Sequence, residues 1–200
     1  MSEPSRVANA MGGDKAAGAR ADDDVADRAL VDAWLSGDER AATTLVERHG
    51  AALSRFAASI GVRDQSEVEE VVQDTFVRAF QSLGSFRGDS SLRTWLFTIE
   101  RRLVLDRRRA ERRRRDRNEV QESDAATEVT ALDGMVADET EGRVVAAVER
   151  LSAMQKQVFS LRVTEGMSYK EIAAVVGTTE GAARVHYHNA VRSIKECLDA

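Results

Sequence analysis

Apolar residues recur at the spacing of an amphipathic helix along most of this 200-residue chain, and stretches that alternate apolar with polar residues are nearly absent. Such spacing predicts helices whose apolar stripes face a core. The single proline, Pro4, lies outside these stretches, so no proline interrupts them. The sequence therefore predicts an all-α fold.

The chain divides by composition into four parts. Residues 1–26 are rich in small and acidic residues and lack periodicity, which predicts a disordered tail. Helical patterns fill residues 27–115 and, more briefly, residues 142–200. Between them, residues 116–141 are predicted to be a flexible acidic linker, because positions 118–141 hold eight acidic residues and no lysine or arginine. We therefore expect two small helical domains, the first with four helices.

The composition narrows the class of protein. With 42% hydrophobic and 32% charged residues, the balance is that of a soluble globular protein. No apolar run approaches the ~20 residues of a membrane span, and the N-terminus lacks a secretory pattern. We expect a cytoplasmic protein without direct membrane insertion. The only cysteine, Cys197, excludes an intramolecular disulfide and a cysteine-built zinc site.

Helix ends in the first domain can be predicted from capping residues. Asp38 precedes the second helix and is a plausible N-cap. Ser66 with Glu69 three residues later predicts a capping box at the start of the third helix. The fourth helix is expected to open at Ser90 or Ser91.

Residues 101–117 concentrate positive charge in an otherwise acidic chain. Ten arginines stand against three acidic residues, a local balance of +7 where the whole chain carries -5. An anionic partner is the obvious interpretation of such a stretch. The competing interpretation is the solvated end of a helix, with no partner at all.

Residues 168–187 have the pattern of a helix-turn-helix. Ser168 and Glu171 predict a capping box, Gly177 ends the short helix, and Thr178 or Thr179 can cap the next one. In such a motif the second helix enters the major groove of DNA. An ordinary pair of packed helices is the alternative at this point.

The second helix of this motif carries the candidate contacts to duplex DNA. Arg184 is the first choice, because its planar fork can bond guanine or grip a phosphate near the start of the helix. The full predicted set is Thr179, Glu180, Arg184, His186, His188 and Asn189.

Neither a metal site nor catalysis is predicted. His186 and His188 lie two residues apart on a helix, about 200° apart around its axis, so they cannot share one ion. The sequence has no nucleophile elbow, no zinc-protease motif and no phosphate-cradling glycine loop. We expect a protein that is not an enzyme and that uses no cofactor.

Two blocks of the sequence closely resemble the bacterial extracytoplasmic-function (ECF) sigma factors of the sigma-70 family. They are EVEEVVQDTFVRAFQSLGSFRGDSSLRTWLFTIERRLVLDRRR and LSAMQKQVFSLRVTEGMSYKEIAAVVGTTEGAARVHYHNAV. The resemblance implies a dissociable subunit of RNA polymerase that directs initiation at specific promoters, for a stress or envelope-related regulon. Residues 27–115 would be the region 2 domain and residues 142–200 the region 4 domain.

The resemblance also implies roles for individual residues. In region 2, the helix with EEVVQDTF would dock on core polymerase through Glu70, Gln73, Asp74 and Phe76, although Phe76 also fits the apolar stripe as a core residue. The minus-ten promoter element would be recognised and melted by Phe86, Arg87, Arg93 and Phe97, since aromatic faces beside arginines hold single-stranded bases. Arg101, Arg108 and Arg112 share helical spacing and would extend this surface along promoter phosphates.

Region 4 would bind the minus-thirty-five element as duplex. Two positions that are usually basic in the family are His186 and Asn189 here, so only Arg184 carries over directly. The implied partners are core RNA polymerase, promoter DNA and an anti-sigma factor. The alternative function is a helix-turn-helix regulator that works without polymerase, for which the block at residues 66–112 has no evident use.

Overall fold

The computed structural model describes residues 22–118 and 139–198, and within these ranges the chain is helical with no strand. The all-α prediction is confirmed. The helices of the first domain are α1 (22–35), α2 (Glu39–Ser59), α3 (Gln65–Ser82) and α4 (Leu92–Asn118), with a 3-10 turn at Leu83–Ser85. Those of the second are α5 (Glu139–Glu149), α6 (Ala153–Val163), α7 (Tyr169–Val176) and α8 (Glu180–Leu198).

Two predicted boundaries differ from the structure. Residues 22–26, expected in the tail, belong to α1, where Arg48 of α2 holds both Asp23 and Asp27 through nitrogen–oxygen distances of 3.0 Å. Helix α4 continues to Asn118 and α5 begins at Glu139, so both ends of the predicted linker are helical. The rest of the predicted tail and linker, residues 1–21 and 119–138, lies outside the described residues.

The core of the first domain is formed where α2, α3 and α4 meet. Phe56 of α2 and Phe97 of α4 lie edge to face, with ring centroids 5.1 Å apart, and both rings are fully buried. Val71 of α3 and Leu53 of α2 complete the centre of this core. The apolar stripes of these helices therefore face one another, which leaves their polar faces for partners.

Capping explains where these helices begin. Asp38 caps α2 as predicted, because its side chain accepts a hydrogen bond from the Arg40 amide at 3.0 Å. The predicted capping box of Ser66 and Glu69 is wrong. Instead Asp64 accepts hydrogen bonds from the amides of Ser66 and Glu67, at 2.9 and 3.1 Å, and α3 begins two residues earlier than expected. A carboxylate two residues upstream was the better acceptor for these unpaired amides.

In the second domain the predicted capping signals of the helix-turn-helix are confirmed. Ser168 and Glu171 form a reciprocal capping box, with distances of 3.2 and 2.7 Å. Gly177 ends α7 in the left-handed region, with φ of 71°. Thr179 then accepts a hydrogen bond from the Ala182 amide at 3.1 Å and so caps α8. The turn between the two helices is thus held at both ends.

Substitution by alanine at two glycines of this motif should change the stability of the protein in opposite directions. Gly177→Ala is expected to lower the free energy of unfolding by about 1–2 kcal/mol, because a side chain is disfavoured at positive φ. Gly181→Ala, at the second residue of α8, should raise it by up to about 1 kcal/mol, because alanine is the better helix former. Open space surrounds both positions. Urea denaturation of the two variants checks the prediction, and equal signs would contradict it.

Candidate nucleic-acid interface

The polar face of α3 carries three of the four residues predicted to bind polymerase. Glu70 and Asp74, four residues apart, lie on the same face, and Gln73 beside them is exposed. Arg107 of α4 donates hydrogen bonds to both acids, at 3.1 Å to Glu70 and 2.7 Å to Asp74. This acidic face is therefore fixed in position and partly covered by one arginine.

Phe76, the fourth residue of that set, is a core residue. Its ring is buried and stacks on Phe80, with centroids 6.0 Å apart. The assignment of Phe76 as a polymerase contact is therefore corrected. The physical reason is that Phe76 falls on the apolar stripe of α3, which turns toward α2 and α4.

The loop before α4 presents the first residues predicted to bind the minus-ten element. Arg87 is exposed, and Phe86 is half-buried against Trp95 with ring centroids 5.1 Å apart. One face of Phe86 is thus supported while part of the ring remains accessible. Such a ring can receive an unstacked base.

Phe97 cannot take part in base stacking in this arrangement. Its exposure is 0%, and it packs edge-on against Phe56. Helix α4 is covered by α2 and α3 on one side and by α7 on another, so more than one of its faces is buried. The assignment of Phe97 as a DNA contact is corrected to a core role.

The second domain packs directly on the predicted minus-ten surface. Glu165, in the turn between α6 and α7, is buried and lies between Arg55 of α2 and Arg93 of α4. Arg55 binds it bidentately, with nitrogen–oxygen distances of 2.9 and 3.2 Å. Arg93 donates to the same carboxylate and, at 3.2 Å, to the Glu165 carbonyl. Arg93, a predicted DNA contact, is therefore engaged by a carboxylate of its own chain.

The three arginines predicted to share one DNA face have different environments. Arg101 donates to the side chain of Gln157 in α6 at 2.8 Å, and Arg108 donates to the carbonyl of Ile60 at the end of α2. Of the three, only Arg112 is exposed. The expectation of a single free face of Arg101, Arg108 and Arg112 is corrected, because the first two are used to hold other elements against α4.

Six arginines of the block form an exposed cationic extension at the end of α4. Helix α4 spans 27 residues, or roughly 40 Å. Its last turns project beyond the core, and their arginine side chains are exposed. These are Arg109, Arg112, Arg113, Arg114, Arg115 and Arg117.

On α8, Arg184 is held in a defined position. Its guanidinium is paired with Glu180 at 3.0 Å and lies over the ring of Tyr169, 4.9 Å from the centroid. Its side chain is still largely exposed at the N-terminal part of the helix, where base edges are within reach in this motif. An arginine oriented in this way loses less conformational freedom on binding.

The other predicted contacts on α8 differ in exposure. His188 and Thr179 are exposed, whereas His186 and Asn189 are half-buried. Sequence reasoning left out Arg162 of α6, which stacks on the same Tyr169 ring at 4.8 Å. Val185, on the same face of α8 as Arg184, has an exposed side chain that can contact a thymine methyl group. No local signal marked Arg162, because it reaches the motif from another helix.

Glu100 of α4 is an unexpected feature at the interface between the two domains. Its exposure is 0%, and neither carboxyl oxygen has a hydrogen-bond partner among the described residues. Burial, together with the negative charge of Glu165, raises the pKa of Glu100 well above its ordinary value. A sequence signal did exist, since Glu100 stands four residues from both Leu96 and Val104 on the apolar stripe.

The described ranges also lack a metal-binding cluster and a membrane-spanning helix. Residues 22–118 and 139–198 contain no group of three or more histidine, cysteine, aspartate or glutamate residues that could hold a metal ion. Among the helices of the same ranges, none is both long and apolar enough to span a bilayer.

Comparison with known proteins gives consistent matches in both halves of the chain. The family models for Sigma-70 region 2 and for Sigma-70, region 4 match residues 45–114 and 141–194. The RNA polymerase sigma factor CnrH of Cupriavidus metallidurans is 33% identical over 186 residues, which cover 88% of this chain and 95% of the relative.

Solved structures extend the similarity to the fold. CnrH in complex with the cytosolic domain of CnrY aligns with a TM-score of 0.62 at 33% identity, covering 87% of this chain and 97% of that one. The sigma factor RpoE of Bartonella quintana, in complex with the anti-sigma factor NepR, also aligns with a TM-score of 0.62, at 26% identity. That alignment covers 79% of this chain and 96% of RpoE.

Proposed function

Because the chain belongs to the ECF sigma factors of the sigma-70 family, we propose that it binds core RNA polymerase and directs promoter-specific initiation through the surfaces described above. The observation that carries this proposal is the presence, in one chain, of an acidic face on α3, a basic helix α4 and a helix-turn-helix. A regulator that needs only duplex DNA would use the last of these alone.

In this proposal the first domain serves both polymerase and unpaired DNA. Glu70, Gln73 and Asp74 contact core polymerase from α3. Phe86 and Arg87 hold an unstacked base of the minus-ten element, and the exposed arginines at the end of α4 follow the phosphates beyond it. Arg93 joins this surface when Glu165 releases it.

The second domain reads the minus-thirty-five element. The N-terminal half of α8 enters the major groove, where Arg184 contacts a base edge or a phosphate. Thr179 at the helix start and His188 farther along are exposed and reach the flanking backbone. Glu180, which pairs with Arg184, sets the direction of its guanidinium.

Regulation and location follow from the same family membership. The structures of CnrH and RpoE are complexes, with the cytosolic domain of CnrY and with the anti-sigma factor NepR. By analogy, an anti-sigma factor controls this chain in the cytoplasm, where the polymerase works. The role is that of an initiation factor without catalysis of its own.

A binding experiment with core polymerase tests the role of α3. We expect Asp74→Asn to weaken binding of the full chain to sigma-free core by about tenfold, because a charge-assisted contact is lost. The matched control is Glu47→Gln, which removes an exposed carboxylate from α2 and should leave the affinity within about twofold. Equal affinities of the two variants would contradict the assignment of α3, and failure of the unsubstituted chain to bind core would contradict the proposed function.

A further inference from the structure

The carboxylate of Glu165 is bound by two arginines of the other domain. Its side chain is only 1% exposed, and its carboxylate is held by Arg55 and Arg93, whose side chains remain 50% and 32% exposed. These arginines come from two different helices, α2 and α4, and converge on one anion. Arg55 is not part of the DNA-binding surface described above.

Two convergent guanidinium groups bind a carboxylate and a phosphate with the same chemistry. Both anions present oxygens at a spacing that matches the planar fork of arginine, and both form charge-assisted hydrogen bonds with it. Arg93 is the second residue of α4, the helix that follows the loop of Phe86 and Arg87, where a single strand is expected to pass. The carboxylate of Glu165 therefore occupies the position that a backbone phosphate of that strand would take.

We propose that Arg55 and Arg93 form a phosphate site for the single-stranded promoter backbone, and that Glu165 occupies this site as an internal competitor. The inference rests on the proposed function, because it takes the ligand to be promoter DNA. It adds Arg55 to the binding surface and gives the turn between α6 and α7 an inhibitory role. While Arg55 and Arg93 bind Glu165, the phosphate site is closed to DNA. When Glu165 leaves, the phosphate site is open.

A second contact between the domains acts in the same direction. Arg101 of α4 donates to Gln157 of α6 at 2.8 Å, and Gln157 is buried. The surface of α4 from Arg93 to Arg101 is thus covered by α7 and by Glu165 in the turn before it, and Gln157 of α6 holds Arg101. A DNA strand cannot follow this surface until the second domain has moved away.

Other groups at the interface oppose closure, which makes it reversible. Glu100 is buried beside Glu165 without a hydrogen-bond partner among the described residues. Elsewhere at the interface, Asp24 of α1 and Glu171 of α7 both line a cavity of about 380 Å³ between the domains, where their like charges repel. The ion pairs of Arg55 and Arg93 with Glu165 offset the unfavourable burial of Glu100 and the repulsion between Asp24 and Glu171. Removal of the Glu165 carboxylate should therefore let the two domains separate.

The first test compares Glu165→Gln with Glu196→Gln in the full chain. Each variant removes one carboxylate from the second domain. Glu196, however, is exposed on α8, and its ion pair with Arg192 is long, at 3.9 Å. We expect Glu165→Gln to bind a fluorescent single-stranded oligonucleotide about tenfold more tightly than the unsubstituted chain. Glu196→Gln should stay within about twofold. Small-angle X-ray scattering should show a larger radius of gyration for Glu165→Gln alone.

The second test asks whether Arg55 itself contacts a phosphate. In the open Glu165→Gln background, Arg55→Gln should weaken oligonucleotide binding and reduce the slope of log affinity against log salt by about 0.7. Arg40→Gln is the control, because it removes an exposed arginine from the first turn of α2. An unchanged slope for Arg55→Gln, or an equal change for Arg40→Gln, would overturn the phosphate site.

The outcomes separate this inference from the proposed function. If Glu165→Gln binds DNA and scatters like the unsubstituted chain, internal competition is refuted, even when the chain binds core polymerase. If the chain fails to bind core polymerase, the proposed function is refuted, whatever the oligonucleotide data show. Thermal unfolding of each variant verifies that it is folded, and Glu165→Asp, which keeps the charge on a shorter side chain, should give an intermediate affinity.

Discussion

Glu100→Leu is expected to raise the free energy of unfolding of the full chain at neutral pH by about 1–3 kcal/mol, the cost of burying a polar group that has no hydrogen-bond partner. Glu100 is fully buried on the apolar stripe of α4 and has no hydrogen-bond partner in the described part of the chain. A carboxyl group in such a place gains nothing to offset its desolvation. Leucine fills a similar space without that cost.

The effect of Glu100 should depend on pH in a defined direction. Burial, with the charge of Glu165 added, raises its pKa in the folded protein well above the ordinary value. The folded state therefore binds this proton more tightly than the unfolded chain. The stability that protonated Glu100 contributes is fully present below about pH 4.3, the ordinary pKa of a glutamate. This contribution is lost as the pH rises through the raised pKa of Glu100 in the folded protein. The advantage of leucine should accordingly be small at pH 4 and grow above it.

Urea denaturation at several pH values between 4 and 8 measures this difference. Glu111→Leu is the matched control, because Glu111 is exposed on the same helix and should change stability by less than about 0.5 kcal/mol. A Glu100→Leu variant that is less stable than the unsubstituted chain at every pH would mean that the carboxyl group has a favourable partner.

Substitutions of Phe97 and Phe86 should separate a core role from a DNA-binding role. Phe97→Ala is expected to lower the free energy of unfolding by about 3–5 kcal/mol, because it leaves a cavity against Phe56. Phe97→Leu should cost less than about 1.5 kcal/mol and keep the binding of single-stranded DNA. Phe86→Leu should have little effect on stability but weaken DNA binding by about 1–3 kcal/mol, the contribution of one stacked base.

Both properties can be measured on the same preparations, by urea denaturation and by fluorescence anisotropy with a single-stranded oligonucleotide. The DNA measurement belongs in the Glu165→Gln background, where we expect the surface to be open. A Phe97→Leu protein that is as stable as the parent but no longer binds the oligonucleotide would restore Phe97 to the DNA-binding surface.

Local features of the structure could be predicted from the sequence because their causes are local. The capping box of Ser168 and Glu171 and the left-handed Gly177 depend on residues within one or two turns. The start of α3 was misplaced because Asp64 and Ser66 are both good caps, and their competition is decided by the geometry of the chain entering the helix. Spacing alone does not contain that information.

The features that escaped prediction depend on contacts between distant residues. Glu165 is 72 residues from Arg93 and 110 from Arg55, so no periodicity links them. Phe97 was misassigned because α4 is buried against both domains, whereas an apolar stripe on a helical wheel shows one buried face. The same contact explains why Arg101, although part of an arginine-rich stretch, is not free to face DNA.

The most direct test of the account is transcription by sigma-free core polymerase supplied with the purified chain and a library of promoter fragments, followed by sequencing of the transcripts. The account predicts starts at defined positions, downstream of a shared pair of elements, that require the chain. It further predicts that Arg184→Ala reduces these starts, because α8 loses its main contact to the upstream element. Duplex binding by the chain with no promoter-specific transcript, or with transcripts unaffected by its presence, would contradict the account.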